Sequence, residues 1–269
     1  MAKMSVRRKL AIASYSPPRE GNIYGKLVVD AGPGQRYLDE VRKQTGEKVS
    51  FTHLIGRAVA EALRQAPTLN GRIVFGTFEP FPTVDIAFLV ALEDGQDLAK
   101  AKVCDVDKKS VAEIARELAS KSGKLRSSSD QAYEKSKQAI RMMPTWVLKP
   151  MLNVTGFLAS SLGLSIPALG VEPFPFGSCI VTSVGMFGLE EGFVPPTPFT
   201  RVPVYILVGA VKERPAVVDG KLTVQPQLTI TATIDHRFID GAQLATLAKV
   251  VRSILENPWQ LDAKPAAGS

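Results

Sequence analysis

Two cysteines and two histidines are all that 269 residues contain of the side chains that most often hold metals or form redox pairs. Cys104 and Cys179 lie too far apart for a metal or redox motif, so neither a zinc module nor a disulfide scaffold is expected. Such thrift with cysteine fits a reducing compartment. The first residues, MAKMSVRRKLAIASYSPP, start basic, but the apolar stretch is too short for a secretory leader and proline ends it. The cytoplasm is therefore the expected location. GPGQR lacks the spacing and the following lysine of a phosphate loop. No repeat or clean linker divides the chain. A net charge of +7 raises the question of nucleic acid, but the basic residues are scattered among acids, as in VRKQTGEK, with no basic stripe carrying aromatics. No nucleic-acid partner is expected.

What is present suits one globular domain, expected over residues 1–262, with a loose tail at 263–269: 45% of residues are hydrophobic and 22% charged. NIYGKLVVDA reads as a strand and QRYLDEVRKQTG as a helix stopped by Gly46. From Leu54 to Leu63 the apolar residues repeat at helical spacing behind Ser50 or Thr52 as cap. RIVFGTF and VDIAFLVAL look like two strands, and SVAEIARELASKSG opens with a Ser110–Glu113 capping box. Strands return in CIVTSVG, VPVYILVGAV and QLTITATI, with an Asp-Gly hairpin turn in VVDGKLTV. Alternation in LTITATI predicts a half-buried strand. Strands and helices mix without strict alternation, so the expected class is α+β, helices packed on a mixed sheet.

Residues 127–172 break this texture. Pro150 to Val171 carries no charge and approaches the length of a membrane span, yet it holds serines, glycines and Pro167. A buried or oligomer-facing helical hairpin is the favoured reading, with membrane contact through 143–171 as the alternative.

The remaining question is DHRFIDGA. His236 follows the last strand, and Asp240 and Gly241 come just before an amphipathic helix. An imidazole can accept and return a proton near neutral pH, and Gly241 would allow a tight backbone path there. Spacing alone leaves open the commoner alternative, a core histidine with its polar atoms satisfied.

Several segments together resemble one family. DHRFIDGA with its helix and ENP is similar to the catalytic signature of the acyltransferase component of 2-oxo-acid dehydrogenase complexes, whose His-x-x-x-Asp-Gly core is shared with chloramphenicol acetyltransferase. SVRRKLAIA, SFTHLIGRAVAEALRQAPTLNGRI, VDIAFLVAL, GSCIVTSVGMFG and PVYILVGAVKERPAVVDGKL resemble further segments of that family, in the same order. The resemblance implies a chloramphenicol acetyltransferase-like fold with an extra helical insertion. It implies coenzyme A or acyl-coenzyme A as substrate, no metal, and His236 as general base toward a thiol. Thr182 would be the hydroxyl that stabilises the oxyanion, with Ser183 where the family has asparagine. Asp240 would be structural, paired with Arg8 or, next, Arg7. A homotrimer is implied, the histidine of one subunit facing the hydroxyl of its neighbour.

The departures shape the expectation. No lipoyl domain or lipoylated lysine segment precedes the catalytic part, so a lipoyl donor would belong to another protein, with dehydrogenase subunits as further partners. GQDLAKAKVCDV is polar where the family strand is apolar. A catalytically reduced scaffold, or a membrane-associated assembly protein using the insertion, is the alternative to a working acyltransferase.

Overall fold

The computed structural model describes residues 21–92, 97–127 and 131–262; Arg7, Arg8 and the 263–269 tail lie outside the described residues. The chain opens with strand β1 (Asn22–Asp30), helix α1 (Gly32–Thr45) and helix α2 (Phe51–Gln65). A short hairpin of β2 (Gly71–Val74) and β3 (Thr77–Pro80) follows, then β4 (Ile86–Leu92), β5 (Asp97–Val103) and α3 (Val111–Arg126). Two helices come next, α4 (Gln131–Met142) and α5 (Thr145–Gly156), with a π turn at Phe157–Ser161. Strands β6 (Cys179–Ser183), β7 (Val204–Val218) and β8 (Lys221–Asp235) lead into the last helix, α6 (Gly241–Glu256).

Six strands form one mixed sheet in the order β1-β8-β7-β6-β4-β5. β6 runs parallel to both β4 and β7, and the other pairs are antiparallel. This is the α+β architecture the sequence implies. The apolar stripe of α2 explains the main layer: Leu54, Ile55, Ala58, Val59 and Leu63 are at most 1% exposed and pack on Val181, Val204, Ile206 and Ile230 of the sheet. Each such leucine or isoleucine stabilises the fold by about 2 kcal/mol through its removal from water. α6 lies beside α2 on the same face, with Leu247, Val251, Ile254 and Leu255 buried.

Three local outcomes differ from the sequence reading. The threonines of β8 do not face water: Thr229, Thr231 and Thr233 are buried, and the Thr231 hydroxyl donates to the Gly192 carbonyl. The segment bearing Phe176, Gly192, Val194 and Val202 covers that outer face, so period-two alternation here separates two buried layers. RIVFGTF is a hairpin rather than one strand, because Phe75 and Gly76 both adopt positive φ (49° and 79°) and reverse the chain. The polar GQDLAKAKVCDV contains β5. Its alternation buries Ala99, Ala101 and Val103 and turns Lys100 and Lys102 outward, onto Glu172 and the carbonyls of Pro173, Phe174 and Pro175.

The expected Asp-Gly turn is there: Asp219 and Gly220 take positive φ (50° and 76°) between the paired Val218 and Lys221. The Ser110–Glu113 capping box is formed as well. In the uncharged stretch, Gly156, Ala159, Ser160 and Ser161 are buried while Val154 and Leu164 are exposed. Among the described residues no helix is long and apolar enough to cross a membrane.

Candidate active site

β8 ends at Asp235, and the next five residues turn the chain into α6. Each residue of this loop is held. The His236 amide donates to the Gly21 carbonyl, and Arg237 folds back onto the Asp235 carboxylate at 2.6 Å. Phe238 and Ile239 are buried in the main core. Asp240 caps α6: its carboxylate accepts from the amides of Ala242 (3.0 Å) and Gln243 (3.1 Å), and Gln243 answers by accepting from the Asp240 amide. The loop is therefore rigid on both sides of the histidine.

The ring of His236 projects from this loop at the protein surface, with Nδ1 at 2.7 Å from the Ile239 carbonyl oxygen. A carbonyl can only accept, so Nδ1 carries the hydrogen. In the neutral ring that leaves the Nε2 lone pair free. The backbone thus selects one tautomer and aims a proton acceptor outward, as a base requires. The core-histidine alternative left open by the spacing does not describe this ring.

The other histidine contrasts in every respect. His53 is the third residue of α2, and its Nδ1 accepts from the Ser50 amide at 3.0 Å, closing a capping box in which glutamate or glutamine usually stands. Burial lowers its pKa from 6.5 to about 4, so it stays neutral.

Thr182 and Ser183 end β6, two strands from β8 and toward the opposite end of the sheet from His236. The pairing registers Thr182 with Leu207 and Leu207 with Thr231, five positions before His236. With about 3.3 Å per residue along a strand and 4.8 Å between strands, Thr182 and His236 of one chain are roughly 20 Å apart. One copy brings together His236, Asp240 and Gly241 and leaves Thr182 and Ser183 apart from them. Ser183 accepts a weak bond from the Gly185 amide at 3.4 Å. Beyond it, Met186, Phe187 and Leu189 are more than half exposed.

Gly241 does not serve as the sequence suggests. It is the first helical residue, is not among the positive-φ glycines, and a Cβ there would meet nothing within 4 Å. The single chain does not need a glycine at this position. Space is what it provides: with Gly25, Ala232, Leu244 and Ala245 it lines an apolar groove of about 290 Å³ between β1, β8 and α6.

Asn70, of the Pro-x-Leu-Asn motif, has a structural task that spacing alone does not reveal. Its amide donates to the carbonyls of Phe81 and Thr83 and its oxygen accepts from the buried Ser178 hydroxyl, fastening the β2–β3 hairpin to the start of β6. Among the described residues no group of three histidine, cysteine or acidic side chains could hold a metal ion. Both cysteines are free, and burial raises the Cys179 thiol pKa.

A six-stranded mixed sheet of this topology with helices packed on it is a chloramphenicol acetyltransferase-like fold. The chain belongs to the family described as 2-oxoacid dehydrogenases acyltransferase (catalytic domain), whose model matches residues 33–140 and 168–263 and leaves 141–167 unmatched. A curated relative is the probable dihydrolipoyllysine-residue succinyltransferase component of the 2-oxoglutarate dehydrogenase complex of Schizosaccharomyces pombe, 24% identical over 238 residues. That alignment covers 84% of this chain and 42% of the yeast protein. The chain spans less than half the length of the curated relatives it matches. Among solved structures, a probable dihydrolipoamide acetyltransferase from Listeria monocytogenes superposes with a TM-score of 0.65 at 21% identity, over 92% of this chain and 88% of that one. A chloramphenicol acetyltransferase superposes at 0.50 with 15% identity, over 94% and 96%.

Proposed function

We propose that this protein transfers acyl groups between thiols, with coenzyme A as one partner and a lipoyl thiol as the other. The observation that carries the reading is the Nδ1–Ile239 hydrogen bond, which leaves Nε2 of an exposed His236 as a base. Nε2 takes the proton from the attacking thiol. The thiolate adds to the thioester carbonyl, and the tetrahedral oxyanion collapses to expel the other thiolate, which recovers the proton from the imidazolium. The net change exchanges one thioester for another, and the histidine returns to its starting state.

The oxyanion needs a donor, and Thr182 of a second copy is our assignment. The roughly 20 Å separation within one chain, from strand and inter-strand spacing, supports a site shared between copies. So does the apolar segment Met186–Leu189 exposed beside Thr182, which a neighbouring subunit would cover. A closed ring of three is the assembly we infer, in the cytoplasm. A Cβ at position 241 would meet nothing within 4 Å, and our reading gives that space to the approaching thiol. Asp240 holds the loop through its cap, and its pairing with Arg8 is part of the proposal.

The test is thiolysis of acetyl-coenzyme A by the purified protein. His236→Ala should lower kcat at least a hundredfold, the upper part of what a general base supplies. Equal slow rates in both proteins would assign the chain to a scaffold instead.

A further inference from the structure

Five described residues other than glycine have positive φ. Two are aspartates, Asp105 and Asp219, a residue type that tolerates the left-handed region. The other three are Phe75 (49°), Phe174 (46°) and Arg201 (55°), for which that conformation is costly. All three meet at one place. The Phe75 ring stands edge-on to Phe157 at 6.0 Å, and the Arg201 guanidinium lies over the same Phe157 at 5.3 Å. Phe174 packs on Phe81 at 5.1 Å, receives the Arg72 guanidinium over its ring at 4.5 Å, and donates its amide to the Ala159 carbonyl. Phe157 and Ala159 lie in the segment that the family pattern leaves unmatched.

What the three share is the Phe157–Ala159 segment; the β2–β3 hairpin reaches it at its tip, through Phe75, and reaches Phe174 on its flank, through Arg72. Arg72 is itself fixed to Glu79 across the hairpin. The same hairpin touches the catalytic loop. Phe78 stands edge-on to Phe238 at 6.2 Å, and its ring lies so close over Gly71 that a Cβ there would come within 2.5 Å of it. Phe238 immediately precedes Ile239, whose carbonyl fixes the His236 ring. The path from the unmatched segment to the hydrogen bond that sets the base runs ring to ring from Phe157 to Phe75, through the hairpin backbone to Phe78, and ring to ring again to Phe238. Strain concentrated where an element has been added marks a contact that the rest of the fold holds in place.

We propose that residues 141–167 are a brace: through Phe157, Phe75 and Phe78 they hold the hairpin against Phe238 and so fix the tautomer and aim of His236. Phe78 and Phe157 are positioning residues. This inference rests on the acyltransferase reading given above.

With only two histidines, ring nitrogens can be read directly. On a His53→Gln background, long-range proton–nitrogen NMR reports His236 alone. Phe157→Ala should lower kcat about tenfold, the effect of a loosened catalytic geometry, with KM for acetyl-coenzyme A changed less than about twofold. It should also turn a fixed Nδ1–H signature into a tautomer mixture. Phe78→Ala should do the same, and the double variant should be no worse than either single one. Phe157→Tyr, which keeps the ring, should restore the wild-type values. Phe75→Asn guards against a folding defect: asparagine suits positive φ, so the fold should be held or stabilised while kcat falls. Full kcat in Phe75→Asn, unchanged ring signals in Phe157→Ala, or losses that multiply in the double variant would overturn the brace. If the base assignment is what fails, His236→Ala keeps its rate while Phe157→Ala still alters the ring nitrogens.

Discussion

Replacing His53 by glutamine should make the protein more resistant to acid without removing the activity. Glutamine can accept from the Ser50 amide as the imidazole does, so the capping box of α2 survives and only the titration is lost. In the folded protein burial holds the His53 pKa at about 4, whereas the unfolded chain has the ordinary 6.5. As pH falls through 6.5 the unfolded chain takes up a proton that the folded one refuses. Stability is therefore complete above that value and drains away until the folded pKa is reached. Between about pH 7 and pH 5 the loss from this one group is about 2 kcal/mol, and it approaches about 3 kcal/mol at still lower pH. Urea unfolding of both proteins at the two pH values measures it, since every other titrating group cancels in the difference. The wild type should lose about 2 kcal/mol more than His53→Gln over that interval. kcat should be the same in both, because His53 has no part in the proposed chemistry. Equal losses of stability would refute the argument and mean that the imidazole is protonated in the folded state.

Three further outcomes follow from the same geometry. His236→Ala and Thr182→Ala, each inactive alone, should recover about a quarter of wild-type activity after unfolding and joint refolding, because three in four random trimers are mixed and each mixed ring holds one complete site in three. No recovery would place both residues in one subunit's site or remove Thr182 from it. Asp240→Ala should cost about 1 kcal/mol of stability through the lost cap, while Asp240→Asn keeps it; thermal unfolding of the two variants decides. Glu172→Gln should loosen the arm that Lys100 and Lys102 hold on β5, which limited proteolysis between Glu172 and Gly177 reads out. Glu172 is buried enough to raise its pKa, but the two lysines outweigh that and lower it. The arm's ionic hold is therefore present above the ordinary glutamate range and lost as pH falls through the lowered value.

The sequence announces most elements because their causes are local. Ser110 and Glu113 are a capping box before any tertiary contact exists, and the stripe from Leu54 to Leu63 is a helix face wherever it packs. His236 was legible only through the collinear resemblance, since no spacing rule says that its Nδ1 will meet the Ile239 carbonyl. The threonine face of β8 misleads for a definite reason. Alternation reports which residues differ between two faces, and a threonine hydroxyl that finds a carbonyl, as Thr231 does with Gly192, is as buried as isoleucine. RIVFGTF misleads in the opposite sense, because phenylalanine is a poor marker for a turn that ordinarily takes asparagine or glycine.

That exception bears on how residues 141–167 sit on the fold. A segment added to a working fold has two simple destinations: it can hang in solvent, or it can pack on whatever surface it meets. Residues 141–167 do neither cleanly. They leave Trp146 outward, yet spend Phe157 on a hairpin whose tip already carries an unfavourable backbone. Asparagine at position 75 would relieve that backbone and abolish the contact. Phe75 is unfavourable for the hairpin backbone and, although largely exposed, sets its ring edge-on to Phe157; in the brace we propose, hairpin and insertion act as one unit that ends against the loop bearing His236.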